Sequence, residues 1–183
     1  MKTDFDIEKI VEKGSITNLL DYERALLADR KLRLLSKGST HFKNLRGKLR
    51  NIIEAYEKSE WSDVDTVTEE KILESEAYER MAELERKFIE NRKLEIRKKL
   101  KEHDLTQENL AFILGHKSKT HMSELINGIK PFTLKDLVII NRLFHIDLSV
   151  LIPIFLTKED QTKINKAVIS LKKPKSKLPM IWC

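Results

Sequence analysis

One cysteine, five glycines and four prolines in 183 residues leave little to build several classes of protein from. Cys183 alone cannot close an internal disulfide, which excludes a disulfide-stapled scaffold and fits a reducing compartment. So few glycines and prolines cannot supply the turns of a β-sandwich or barrel. No apolar run reaches the ~18 residues of a bilayer span, and the acidic stretch Met1 to Asp6 is unlike a signal peptide, so no membrane partner and a cytoplasmic location are expected. The chain also lacks a Gly-x-x-x-x-Gly-Lys loop, a Gly-x-Ser-x-Gly elbow and a His-Glu-x-x-His pair, which argues against an enzyme. His116 and His121 stand five apart without Cys or carboxylate partners at ligand spacing, so neither a metal nor a cofactor is expected. Cys183 has no activating neighbour except Lys177.

What is present is a helical composition, 40% hydrophobic and 35% charged, with room for one or two small cores. The net charge of +6 is unevenly spread. Residues 91–183 carry 18 Lys and Arg against 9 Asp and Glu, residues 54–90 carry 5 against 13, and residues 1–53 carry 12 against 7. A basic C-terminal part behind an acidic middle points to a polyanion as partner.

The most informative stretch is Leu105 to Leu137, LTQENLAFILGHKSKTHMSELINGIKPFTLKDL. Thr106 is placed to cap a helix whose Leu110, Ala111 and Leu114 face inward, and Gly115 ends it at a left-handed position. A polar turn, His116 to Thr120, leads to a second short helix anchored by Met122, Leu125 and Ile126. Asn127-Gly128 is a turn, and Thr133 caps the helix after it. Ala111 is small where the two helices cross. Two helices joined in this way form a helix-turn-helix, whose second member can enter a major groove.

This pattern, T-Q-x-x-L-A-x-x-L-G followed by a reading helix, an N-G turn and a further helix, resembles the Cro/phage-repressor (Xre) class of helix-turn-helix domains over roughly residues 94–151. The connection from Gly115 to Met122 reads as about two residues longer than the usual turn of that class. The resemblance implies an all-α chain ending in a five-helix, lambda-repressor-like domain that binds double-stranded DNA. Lys117, Ser118, Lys119, Thr120, His121 and Ser123 are expected to line the groove, with Asn127 beside them; Gln107, Lys130 and Lys135 are expected to hold phosphates. One short helix reads few base pairs, so a homodimer on an inverted-repeat operator is expected. Leu134, Leu137, Val138, Ile139, Ile140, Leu143 and Phe144 are apolar around more of a helix than one core contact needs, and Ile152 to Leu156 extends that surface. Dimerisation and packing against the N-terminal helices are the two explanations.

Upstream, Ser15 or Thr17 can start a helix bearing Leu19, Leu20, Tyr22, Leu26 and Leu27, closed by Gly38. A second runs from about Thr40, with Phe42, Leu45, Leu49, Ile52, Ile53 and Tyr56, and fades near Trp61. In the polar spacer Trp61 to Thr68, Thr66 to Glu69 resembles a capping box. Glu69 to His103 has neither Gly nor Pro, which permits one helix of up to ~50 Å, although a break near Glu90 to Arg92 would leave the same sequence. Leu73, Ala77, Met81, Leu84 and Phe88 form its stripe, either a face against the N-terminal helices or a dimer seam. The organisation expected is therefore an N-terminal helical region (1–65), a long acidic connecting helix (66–93), the helix-turn-helix domain (94–156), and a C-terminal helix from Thr157 with a basic tail (157–183). Lys172, Lys173, Lys175 and Lys177 make that tail basic, and its apolar end, Leu178 to Trp182, can dock on a partner or on the body.

The phrase Arg50 to Glu57, RNIIEAYE, followed by a polar spacer and then the reader, is similar to antitoxins of the HigA type. That resemblance implies neutralisation of a small basic ribonuclease toxin and repression of the chain's own operon. The acidic insert Glu69 to Glu90 is longer than in that family; Glu69, Glu70, Glu74, Glu76, Glu79 and Glu83 can attract a basic partner. A stand-alone Xre-family transcriptional regulator without a toxin partner is the alternative.

Overall fold

In a chain with no strand-like alternation, apolar residues at three- and four-residue intervals must be buried by packing helix on helix. The computed structural model describes residues 6–60 and 68–171, and these form helices and no strands. The expectations for Trp61, for a cap at Thr66, for the basic tail and its apolar end, and for Cys183 lie outside the described residues.

Helix α1 (Ile7–Lys13) is not foreshadowed by the sequence pattern, because Ile7, Ile10 and Val11 span too few residues to show a period. Asp6 caps it, its carboxylate accepting from the amides of Glu8 at 3.1 Å and Lys9 at 3.3 Å. Helix α2 (Leu19–Leu35) begins after Asn18, whose side chain accepts from Asp21 N at 2.8 Å. Neither Ser15 nor Thr17 is its cap; the intervening Ile16 is buried in the core, which holds that segment out of the helix. A 3₁₀ turn, Ser36–Gly38, leads to α3 (Thr40–Glu60), which starts where its apolar period does.

Helix α4 (Glu69–Glu102) runs without interruption for 34 residues, so there is no break at Glu90 to Arg92. Its cap is Thr68, accepting from Lys71 N at 3.2 Å. The expected stripe is not the buried one: Leu73 is 58% and Leu84 52% exposed, whereas Ala82, Ile96 and Leu100 are buried. Small side chains explain the shift. Ala25 and Ala28 on α2 and Ala82 on α4 are all buried where these helices pack, and small residues let backbones approach closely. Arg24 then bridges the pair, its Nε donating to Glu85 at 2.6 Å and its Nη1 to Asp21 at 3.0 Å.

The helix-turn-helix part follows as α5 (Gln107–Leu114), α6 (Lys119–Asn127), α7 (Leu134–Phe144) and α8 (Leu148–Leu151), with the C-terminal part of α4 as its first helix. Its core joins Ile96 and Leu100 to Leu110, Leu114, Met122, Leu125, Ile126, Ile140, Phe144 and Leu151. Helix α9 (Lys158–Ser170), capped by Thr157, ties back to α4 through a hydrogen bond from Tyr78 to Glu159, and Phe155 meets Phe88 edge-on with centroids 6.0 Å apart. A separate N-terminal core contains Ile7, Leu32, Phe42, Leu45, Leu49, Ile52 and Ile53. One residue of the reader, Ile129, is fully buried within it.

That crossing point depends on Gly128, which ends α6 at φ 67°. A Cβ there would stand 2.6 Å from Ile89 Cγ2, an atom fixed near the backbone of α4. Gly115 has φ 82° and open space around it. Gly115→Ala should therefore cost about 1 kcal/mol from backbone strain alone, and Gly128→Ala about 2–4 kcal/mol because overpacking is added. Urea denaturation of both variants checks this; equal losses would show that the contact with Ile89 is not tight.

Candidate nucleic-acid interface

The helix-turn-helix is built by local capping. Thr106 accepts from Asn109 N at 3.1 Å while Asn109 Oδ1 accepts from Thr106 N at 2.8 Å, a reciprocal box that satisfies two amides at the start of α5. Thr133 and Asp136 repeat this at the start of α7. Ser118 caps α6, accepting from His121 N at 3.1 Å. The turn therefore spans only Gly115 to Ser118, and Lys119 and Thr120 belong to the helix. Three residues ahead of Met122 are already helical, so the first turn of α6 takes up part of the spacing between Gly115 and Met122.

The site residues expected from sequence divide into two groups. Gln107 opens α5, Lys117 and Ser118 form the turn, Lys119 and Thr120 open α6, and Lys135 lies in the first turn of α7. Of these, Lys117, Ser118, Lys119, Thr120 and Lys135 are exposed and Gln107 is half-buried. Lys119, 81% exposed, pairs with Glu108 across the helix-turn-helix. This first group forms a basic and hydroxyl-rich edge.

The second group turns away from that edge. Asn127 is buried, and its amide donates to Ser123 O at 2.8 Å and Ser123 Oγ at 3.3 Å, so its side chain is held within the helix. Lys130 lies with its ammonium 2.5 Å from Glu8 Oε2 and 3.2 Å from Glu124 Oε2, not facing outward as a phosphate holder would. His121 and Ser123 are half-buried; His121 Nδ1 is 3.4 Å from Glu124 Oε2 and its ring meets that of His116 edge-on at 4.9 Å.

The residue that organises this second group, Glu124, is not among the site residues expected from sequence. Its side chain is only 3% exposed, yet it is ionisable and lies on the face of α6 opposite Met122, Leu125 and Ile126. His41 Nε2, from the start of α3, is 2.6 Å from Glu124 Oε1 and 3.5 Å from Glu8 Oε1 on α1. Burial pushes the Glu124 carboxyl up, but hydrogen bonding to Glu8, the Lys130 charge and the His41 imidazole outweigh it and hold its pKa below the usual carboxylate range. Lys130 mirrors this: burial pulls its ammonium down, while Glu8 and Glu124 raise it above the ordinary lysine value. Glu8, His41 and Glu124 approach one another within 4.8 Å, a spacing a metal could span, but the Lys130 ammonium already supplies the compensating positive charge. Lys31 of α2 adds a fourth tie, its ammonium donating to Asn127 O at 2.7 Å and pairing with Glu90 at 2.9 Å. The only sequence signal for this cluster is an acidic residue on the outer face of a reading helix that should be basic or polar.

Because the folded pKa of Glu124 is depressed, its ion pairs stabilise the protein above the ordinary carboxylate range and that contribution is lost as pH falls through the depressed value. Glu124→Gln should cost about 1–3 kcal/mol at pH 7, since a charged hydrogen-bonded network loses its anion. The gap should close in acid. Urea melts at pH 7 and below pH 4 provide the check; a constant difference across that range would refute the ionised state.

With this geometry in place, residues 96–151 match the family model described as Helix-turn-helix. No curated protein and no solved structure matches the chain. The matched span begins at Ile96, the first buried reader residue of α4, and ends at Leu151, the last of α8. The chain thus carries a helix-turn-helix domain of the Xre/Cro type, a DNA-binding regulatory module, over residues 96–151.

Proposed function

We propose that this protein is a sequence-specific transcriptional repressor that reads double-stranded DNA with the N-terminal end of α6. The observation that carries this reading is the exposed edge of Lys117, Ser118, Lys119 and Thr120 at the mouth of a capped helix-turn-helix. Side chains at the start of a reading helix are the ones that reach base edges. Gln107 and Lys135 flank that edge at the starts of two further helices, where phosphates are held by side chains and free amides. Two copies on an inverted repeat fit the small reading surface of one. Leu134 and Val138, one turn apart on α7 and both exposed, are consistent with a second copy packing there.

Thr120→Ala or Lys119→Ala should weaken binding to a selected operator roughly 5- to 100-fold and leave binding to random DNA nearly unchanged. Lys135→Ala should weaken both alike and reduce the salt slope by about one. Fluorescence anisotropy across a salt series measures this, and identical effects of the two kinds of variant would reject the assignment.

A finer reading is that the repressor is also the antitoxin of a type II toxin-antitoxin pair. It draws support from an acidic face in the first half of α4, where Glu69, Glu76 and Glu79 are exposed on one side of the helix. Such a face suits a basic ribonuclease by charge. Co-expression of the full chain with the product of a neighbouring small basic open reading frame should rescue growth and give a complex on a sizing column. Glu76→Lys with Glu79→Lys should weaken that complex. A chain that neither rescues nor binds such a product is a stand-alone regulator.

A further inference from the structure

Helix α6 is covered on both sides. Met122, Leu125 and Ile126 face the core of their own domain. Thr120, Ser123, Glu124 and Asn127 share the opposite face, as a 3.6-residue repeat requires. On an ordinary reading helix that opposite face is the one the groove receives. Here Glu124 and Asn127 are buried, and the cover comes from the N-terminal helices. His41 of α3 and Glu8 of α1 reach Glu124 and Lys130, Lys31 of α2 reaches the Asn127 carbonyl, and the amide of Ile7 donates to Ile129 O at 3.1 Å.

Dimensions decide what this means for DNA. A B-form major groove about 12 Å wide admits one helix of about 10–12 Å with its side chains, and no second layer on the side that enters. We propose that this arrangement is a closed state of the repressor: the N-terminal helices shield the reading helix, and deep insertion into the groove requires α1 and the start of α3 to withdraw from α6. The inference rests on the DNA-binding reading above and adds a regulatory step to it. The contacts suit a releasable latch. Apart from Ile129, they are ion pairs and hydrogen bonds to charged groups, which water and phosphate can replace when the surfaces part. Any ligand or partner with higher affinity for the separated N-terminal helices would shift the chain toward the reading-competent form.

The test uses the full chain and an operator selected from random double-stranded DNA. Lys31→Ala with His41→Ala removes two ties outside the exposed reading edge and should tighten operator binding at least tenfold, with helical circular dichroism retained. A lock supplies the converse. In a Cys183→Ser background, Glu8→Cys with Lys130→Cys bridged by a short bis-maleimide should bind at least tenfold more weakly than the same protein left unbridged. Equal affinity of bridged and unbridged protein, or no gain in a folded release variant, overturns the closed state. Should the release variant fail to fold, the bridged pair alone decides. Thr120→Ala in the unbridged protein separates the two ideas: if it weakens operator binding while bridging does not, reading by α6 stands and the latch falls. If neither change has an effect, both fall.

Discussion

A carboxylate buried between two helical units holds this molecule in its observed form. Glu124 projects from the side of α6 that the helix-turn-helix core does not use, and burying an unpaired charge there would cost several kcal/mol. Lys130, His41 and His121 gather around it because an anion so placed has to be compensated, and Glu8 shares Lys130 and His41 with it. Those partners come from α1, α3, α6 and the turn after α6. The charge that stabilises the contact therefore also fixes the position of the N-terminal helices on the reader.

Two other features make that position available. Helix α4 runs through both units, contributing Ala82 beside the N-terminal helices and Ile96 and Leu100 to the reader core. A single continuous element keeps the two units side by side, so that polar contacts between α6 and the N-terminal helices can form. Gly128 then allows the turn after α6 to pass within contact distance of Ile89, which delivers Ile129 into the N-terminal core. The exposed edge at the start of α6 and the surface that joins the two units thus lie on one nine-residue helix.

Much of the reader is legible in the amino-acid sequence. Thr106, Gly115, Asn127-Gly128 and Thr133 are local signals, since a cap or a left-handed turn is decided by a residue and its near neighbours, and the helices begin and end at them. The exposed edge from Lys117 to Thr120 follows from the same registration. The start of α2 and the existence of α1 do not, because competing caps and a seven-residue helix carry too weak a period. The stripe on α4 misleads for a different reason: Leu73 and Leu84 have the right spacing, but α2 packs against α4, and it is Ala82 rather than these leucines that is buried.

The amino-acid sequence by itself determined an all-helical chain, its reader and the residues that cap each reader helix, because these depend on contacts within a few residues. Only the tertiary structure decided that Asn127 and Lys130 face the N-terminal helices and that Glu124 is buried. Those outcomes depend on residues more than eighty positions away, such as His41 and Glu8, whose meeting with α6 is set by how two cores pack along one long helix.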